Sequence, residues 1–317
     1  MSETSSRPEI ALIGAQRPQV IEALERAFTC HHVYAAADPL AALREVGPRV
    51  RGAASHGMAG LSRAQMELMP KLEICAINGV GLETTDLAEA RKRGIAVTIT
   101  PVLYDEVADL ALALALSSCR RIAEGDRFVR SGKWLKGRLA QGRKLTGMKA
   151  GLIGVGRIGI EIARRLEAFK CRIAYVDPVR RDLPYQRFDD AVALAGDSDI
   201  LFLAAAGKPM GAAAPIISRE FLTALGPRGI FVNIARGCLG DELALVELLS
   251  NGGLGAAGLD VFDDEPRVPE ALLKLDNVTL TPHIASNTEE TAQAMGETVV
   301  ANLVSWFDGK GALTAVP

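Results

Sequence analysis

Short apolar stretches alternate with amphipathic ones along the whole chain. In the first hundred residues, 9–13, 51–55, 73–77 and 96–99 read as strands, and 20–28, 62–69 and 86–93 read as helices. Strands that alternate with helices predict βαβ units and a parallel sheet. Segment 107–129 reads as one long helix. Its 110–116 stretch alternates Leu and Ala as a strand would, but the acidic entry at Asp105 and Glu106, the alanines and the length favour helix. A second series begins at Lys149–Ile153 and continues through Arg172–Val176, Ile200–Leu203, Ile230–Asn233, Ala256–Leu259 and Val278–Leu280. Residues 287–307 read as a closing helix with Ala294, Val299, Leu303 and Phe307 along it. No internal repeat or low-complexity tract interrupts the pattern.

Two α/β series separated by a long helix predict two lobes, and 317 residues suits two domains at roughly 150 residues each. The expected division places 1–101 and 287–317 in one domain and 102–286 in the other, with the last helix returning to the first lobe. A cleft between the lobes would then be the place for a ligand.

Composition narrows the classes. Lys plus Arg number 36 and Asp plus Glu 38, a net charge of −2, which argues against a dedicated nucleic-acid binder. With 49% apolar and 23% charged residues, the chain has ample material for a core and is not a disordered segment. Against 31 Gly there are only 9 Phe, 4 Tyr and 2 Trp, which suggests tight turns and close helix–sheet packing. The five cysteines, Cys30, Cys75, Cys119, Cys171 and Cys238, contain no CxxC and read as small buried hydrophobes in a reduced setting, not as disulfides or a zinc site. The polar first eight residues lack the apolar core of a signal peptide, and no apolar run approaches the roughly 18 residues of a membrane span. The expectation is a soluble, cytoplasmic protein with no membrane or nucleic-acid partner.

The sharpest chemical signal lies mid-chain. Gly154, Gly156 and Gly159 form GxGxxG after an apolar strand and ahead of a helix at 158–169, and a second strand ends at Asp177, 23 residues after Gly154. Gly154 permits the tight turn, Gly156 lets the backbone approach a pyrophosphate, and Gly159 allows close helix–strand packing. The helix N-terminus, with Arg157 and Ile158, faces the phosphates, and Asp177 would accept from the adenosine ribose hydroxyls and repel a 2′-phosphate. This predicts a dinucleotide site with NAD as cofactor. Arg180-Arg181, just beyond, read either as cations for a 2′-phosphate or as a solvated pair, so NADP stays open. An S-adenosylmethionine methyltransferase also carries a glycine turn and a later acid, but gives no role to the residues that follow.

Of four histidines, His31 and His32 sit in a polar stretch near a turn and read as surface residues. His283 follows the strand Val278–Leu280, Glu265 follows Ala256–Leu259, and Arg236 follows Ile230–Asn233. Three successive strands thus deliver an ionisable group to their carboxyl ends, where open α/β sheets place ligands.

These motifs, taken in order as Asn78-Gly-Val-Gly81, Gly154–Gly159, Asn233-Ile-Ala-Arg-Gly237, Leu259-Asp-Val-Phe-Asp-Asp-Glu-Pro266 and Thr281-Pro-His283, resemble the D-isomer-specific 2-hydroxyacid dehydrogenases, most closely the glyoxylate/hydroxypyruvate reductase branch. The likeness runs from about Arg51 onward. It implies a Rossmann-type doubly wound parallel sheet and a smaller flavodoxin-like α/β domain. It also implies hydride transfer between a nicotinamide and a small 2-oxo or D-2-hydroxy acid, with no metal. His283 would be the general acid/base, Glu265 would hold it and favour its charged form, and Arg236 would clamp the substrate carboxylate and polarise the keto oxygen. Backbone N–H groups of Val80 and Gly81 would bind the carboxylate, Asp260 would meet the nicotinamide carboxamide, and Ala235 would line the same end of the cofactor. His56-Gly57 would form a second loop over the substrate. The family more often has Asn-Gly there, so His56 reads either as a specificity residue or as a surface histidine. Ser286 reads either as a site residue or as the N-cap of the last helix. Trp134 falls where the family extends an arm into a partner subunit, which implies a homodimer, or else is a surface anchor.

Two stretches depart from the family pattern: Cys238-Leu-Gly240 after Arg-Gly, and Ala204-Ala-Ala-Gly-Lys208 near the cofactor. A rival reading on the same scaffold is an NAD-sensing, corepressor-like interaction protein.

Overall fold

The computed structural model describes residues 7–205 and 216–316, so the Ala206–Lys208 part of the second departure lies outside the described residues. The chain divides into two compact units at Val102/Leu103 and Thr288/Glu289, and the terminal segment belongs to the first.

The first unit carries β1 (Glu9–Leu12), β2 (Thr29–His31), β3 (Gly52–His56), β4 (Ile74–Asn78) and β5 (Ala96–Thr98) in the order β2-β1-β3-β4-β5, all parallel. Successive residues point to opposite faces, and the core splits accordingly. Ala11, Ala53, Cys75 and Ile77 pack on one side with Leu43 and Met66, while Ile10, Leu12, Ile74 and Ala76 pack on the other with Leu24, Val299 and Leu303. Val299 and Leu303 come from the closing helix Glu289–Phe307. Helix starts are set locally. Pro18 and Pro39 occupy first-turn positions, Asp38 and Asp86 cap with their carboxylates, and Ser62 with Gln65 forms a capping box.

The second unit carries β6 (Lys149–Ile153), β7 (Arg172–Val176), β8 (Gln186–Arg187), β9 (Ile200–Leu203), β10 (Ile230–Asn233), β11 (Ala256–Leu259) and β12 (Val278–Leu280). Their order, β12-β11-β10-β9-β6-β7-β8, reverses direction at the β6/β9 pair and is parallel throughout. This is the doubly wound arrangement the glycine turn implies. The scarcity of rings has a packing reason. A Cβ on Gly258 would come within 2.8 Å of Leu114 Cβ, so glycine in β11 lets the Ala-rich helix Asp105–Arg120 lie close on the sheet.

Three expectations are corrected. Segment 107–129 is not one helix but two, Asp105–Arg120 and Ile122–Arg130, broken at Arg121 with φ of 54°. The Cys119 carbonyl takes the Arg143 N–H at 2.7 Å, so the helical ladder is interrupted by a distant donor that no local Gly or Pro signals. His31, expected at the surface, is partly buried in the edge strand β2, where its Nε2 meets Glu9 Oε2 at 2.7 Å. The cysteines are not uniformly buried: Cys75 and Cys119 are, Cys30 and Cys171 are partly so, and Cys238 is exposed. Burial pushes the Cys75 thiol up to about 12 and the Cys119 thiol to about 11, so both are inert at neutral pH. No helix among the described residues is long and apolar enough to cross a membrane.

Candidate active site

The glycine turn follows β6 and lies against the carboxyl end of β7, where the Gly154 N–H donates to the Val176 carbonyl. Gly154 has φ of +89°, and a Cβ there would stand 2.8 Å from Ala205 Cα. A Cβ on Gly159 would overlap the Gly154 carbonyl oxygen, so the helix Arg157–Ala168 can sit on the turn only without a side chain there. Gly156 differs, because a Cβ on it would meet nothing within 4 Å. Its bareness serves no contact of the described protein and leaves an open approach to the start of a helix that no side chain caps. That is the form of a phosphate cradle. Asp177 is buried at the end of β7, and its two carboxylate oxygens accept from Val155 N–H at 2.9 Å and Val179 N–H at 2.8 Å. Each oxygen keeps a lone pair for a ribose hydroxyl. Arg157 is exposed and lies 5.6 Å from the Tyr104 ring centre. Arg180 and Arg181 are also exposed. The residues present therefore fit a dinucleotide.

At the ends of β10, β11 and β12 the ionisable groups are held by protein partners. Asn233 closes its own loop, accepting from Ala235 N–H at 3.0 Å and donating to the Arg236 carbonyl at 3.1 Å. The Arg236 guanidinium donates to the Ala235 carbonyl at 2.7 Å. A Cβ on Gly237 would overlap the Phe262 carbonyl, so this glycine lets the Arg236 loop lie directly against the loop that carries Glu265. Glu265 accepts from Phe262 N–H at 3.0 Å through Oε1, and its Oε2 meets His283 Nδ1 at 2.6 Å. The pair is partly open, with His283 40% and Glu265 23% exposed at the side chain.

His283 has φ of 52°, a left-handed conformation that costs a non-glycine residue about 1 kcal/mol or more. Asp260 supplies the restraint. It is fully buried and accepts from Thr281 Oγ1 at 2.6 Å, Ile284 N–H at 2.9 Å and Ala285 N–H at 2.9 Å, while its carbonyl takes the His283 N–H at 2.9 Å. Hydrogen bonds to a charged acceptor are worth roughly 1.5–3 kcal/mol each, which outweighs the strain. These contacts make Asp260 the anchor of the His283 turn. Thr281 and Asn233 were not singled out, although an Asx residue at a strand end ahead of Arg-Gly is a turn signal. Ser286 does not cap the closing helix, which begins three residues later at Glu289; it accepts the Thr288 N–H through its carbonyl.

In the first unit, the loops after β3 and β4 lie together. Gly57 N–H donates to the Asn78 carbonyl at 3.3 Å, Thr84 Oγ1 donates to the Gly57 carbonyl at 2.5 Å, and Thr100 Oγ1 accepts the Gly79 N–H at 2.8 Å. No acceptor among the described residues takes the N–H of Val80 or Gly81. His56 is half-buried, and that burial holds its imidazole below the usual histidine range. Trp134 is 67% exposed and Leu135 93%, on the turn after the helix Ile122–Arg130. No group of three metal-ligating side chains occurs among the described residues.

The profile of the D-isomer specific 2-hydroxyacid dehydrogenase NAD-binding domain matches residues 112–285. The chain is 41% identical to a 2-ketogluconate reductase of Gluconobacter oxydans (strain 621H) over 314 residues, covering 98% of this chain and 99% of the relative. A 2-hydroxyacid dehydrogenase from Ketogulonicigenium vulgare Y25 superposes with a TM-score of 0.92 at 42% identity, covering 98% of this chain and 99% of that one. An NADPH-dependent glyoxylate/hydroxypyruvate reductase from Sinorhizobium meliloti, solved with NADP and malonate, superposes with a TM-score of 0.88 at 39% identity, covering 98% and 97%. The methyltransferase reading is set aside and the corepressor reading is not favoured. The chain is an oxidoreductase with an NAD-binding domain, and it belongs to the D-isomer-specific 2-hydroxyacid dehydrogenase family.

Proposed function

We propose that the chain reduces a small 2-oxo acid, hydroxypyruvate or glyoxylate, to the D-2-hydroxy acid, with His283 as proton donor. The observation that carries this reading is the 2.6 Å contact between His283 Nδ1 and Glu265. It fixes Nδ1 as the protonated nitrogen facing the carboxylate, so Nε2 is the nitrogen that exchanges a proton with substrate. A bound nicotinamide supplies the hydride. His283 gives its Nε2 proton to the keto oxygen as that oxygen gains charge, and Glu265 holds the ring through Nδ1. Arg236 binds the substrate carboxylate with its guanidinium fork and polarises the keto group. The Val80 and Gly81 N–H groups are suited to bind a carboxylate, and Ala235 and Ser286 lie in the Arg236 and His283 loops. On this reading, residues 102–286 form the dinucleotide-binding domain, and the remainder forms the substrate domain.

Asp177 supports NAD, since its carboxylate would oppose a 2′-phosphate. The exposed Arg180 and Arg181, together with the NADPH-dependent relative, support NADP as the second reading. A homodimer is supported by the exposed apolar side chains of Ile122, Val129, Trp134 and Leu135. Sedimentation at the mass of a single chain would contradict it.

The test of the whole reading is consumption of NADH and NADPH with hydroxypyruvate, glyoxylate, pyruvate and phenylpyruvate. The expected result is fastest turnover with the two short acids hydroxypyruvate and glyoxylate, and NADH ahead of NADPH. Absence of turnover with every acid and both cofactors overturns the reductase assignment.

A further inference from the structure

Behind the Glu265–His283 pair stands another partly buried acid, Glu242. It opens the helix Glu242–Asn251 directly after the Arg236 loop. The start of that helix is fixed, because Asp241 Oδ1 caps it by accepting from Ala244 N–H at 2.9 Å. Glu242 Oε1 accepts from Asp263 N–H at 3.1 Å. The charged groups that act on Glu242 are themselves acids, Asp263 and Asp264. Burial first, and these two acids after it, hold the Glu242 carboxyl above the usual carboxylate range. An acid set among acids is unfavourable, and such a placement marks a group kept for what it holds.

What it holds is the turn that carries Glu265. The N–H groups of Phe262 and Asp263 are consecutive donors, and they go to two different carboxylates. Phe262 N–H donates to Glu265 Oε1 at 3.0 Å, and Asp263 N–H donates to Glu242. The other Glu265 oxygen meets His283 Nδ1 at 2.6 Å. The Phe262 carbonyl is backed by Gly237, where an added Cβ would overlap it. A cavity of about 20 Å³, room for a single water, is lined by Asn233, Gly237, Glu242 and Val261. Glu242 thus stands where the Arg236 loop, the Glu265 turn and a capped helix meet.

We propose that Glu242 is a positioning residue for proton transfer: through the Asp263 N–H it pins the Phe262–Glu265 turn to the helix, so that Glu265 stays within reach of His283 Nδ1. In this role it touches neither substrate nor cofactor and acts only through Glu265. The assignment rests on the reductase reading above, with His283 as proton donor. Small displacements matter at such a pair, since moving a catalytic group by about 1 Å can cost on the order of 10²-fold in rate. The role needs an acceptor and not a charge. Glutamine keeps a side-chain carbonyl oxygen at the same reach and removes the repulsion from Asp263 and Asp264, whereas alanine leaves the Asp263 N–H without its acceptor.

The experiment measures kcat and KM with hydroxypyruvate, and affinity for the preferred reduced cofactor by its fluorescence. The chains compared are the unaltered one, Glu242→Ala, Glu242→Gln, Glu265→Ala and the double variant Glu242→Ala with Glu265→Ala. In Glu242→Ala, kcat is expected to fall about tenfold, the worth of one hydrogen bond to a charged acceptor, while KM and cofactor affinity stay within about threefold. Glu242→Gln is expected to keep kcat within about threefold of the unaltered chain. Adding Glu242→Ala to Glu265→Ala is expected to cost less than about twofold, because the residue through which Glu242 acts is already gone. An unmoved kcat in Glu242→Ala, a Gln variant that falls as far as Ala, or an equal loss in the Glu265→Ala background overturns the assignment and leaves the reductase reading standing. Loss of cofactor affinity alongside kcat in Glu242→Ala also overturns it, since the residue would then support the domain at large. An unaltered chain that turns over no 2-oxo acid overturns the reductase reading and this assignment with it.

Discussion

At the carboxyl edge of the second unit's sheet, Asp260 takes three donors, Glu265 takes two, and Arg236 and Asn233 are tied to their own loop. At the same edge of the first unit's sheet, the Val80 and Gly81 N–H groups have no protein partner among the described residues. The first arrangement fixes charged groups in one geometry, and reorganisation during a reaction is then small. The second leaves neutral hydrogen-bonding groups facing outward, suited to recognising a molecule and not to moving its protons. The contrast teaches how one chain can keep its chemistry and alter its substrate: substitutions at the first edge disturb a connected network, whereas those at the second change single contacts.

The largest expected effect tests the connected network. Asp260→Ala leaves the Ile284 and Ala285 N–H groups and the Thr281 hydroxyl without their acceptor while His283 retains its strained backbone. Thermal unfolding is expected to report a loss of about 2–4 kcal/mol, together with loss of turnover. An unchanged unfolding midpoint with weakened cofactor binding would show instead that Asp260 serves the cofactor and not the His283 turn. A smaller effect is expected at Asp177, where the acid holds Val155 and Val179 and also faces outward. Asp177→Ala should shift the NADH-to-NADPH ratio of kcat/KM toward NADPH by about tenfold, the value of one hydrogen-bonded or repelled charge. A ratio that stays constant while both cofactors weaken equally would make Asp177 a support of the turn alone.

In the second unit β9 and β10 could be read directly because each is a short, fully buried apolar run, whereas the exposed, polar edge strand β8 carries no such signal. The edge strand β2 gave no signal either, since Thr29–His31 is only three residues long and largely polar. The break at Arg121 escaped because its cause, Arg143 donating to the Cys119 carbonyl, lies more than twenty residues away along the chain. In the candidate site, strand-end placement pointed to Arg236, Glu265 and His283 as a group. What placement cannot tell is which way an acid faces. Asp260 and Asp177 both end strands, yet one is wholly enclosed by a turn and the other retains lone pairs toward the nucleotide side.

The measurement that bears most directly on the account is the turnover of His283→Ala with hydroxypyruvate and the preferred cofactor, beside the affinity of the same variant for that cofactor. If His283 donates the proton, kcat falls by about 10²–10⁴ while cofactor affinity stays within about twofold, because the lost interaction belongs to the transition state. A variant that retains full kcat would contradict the assignment of His283 and of the Glu265 contact that orients it.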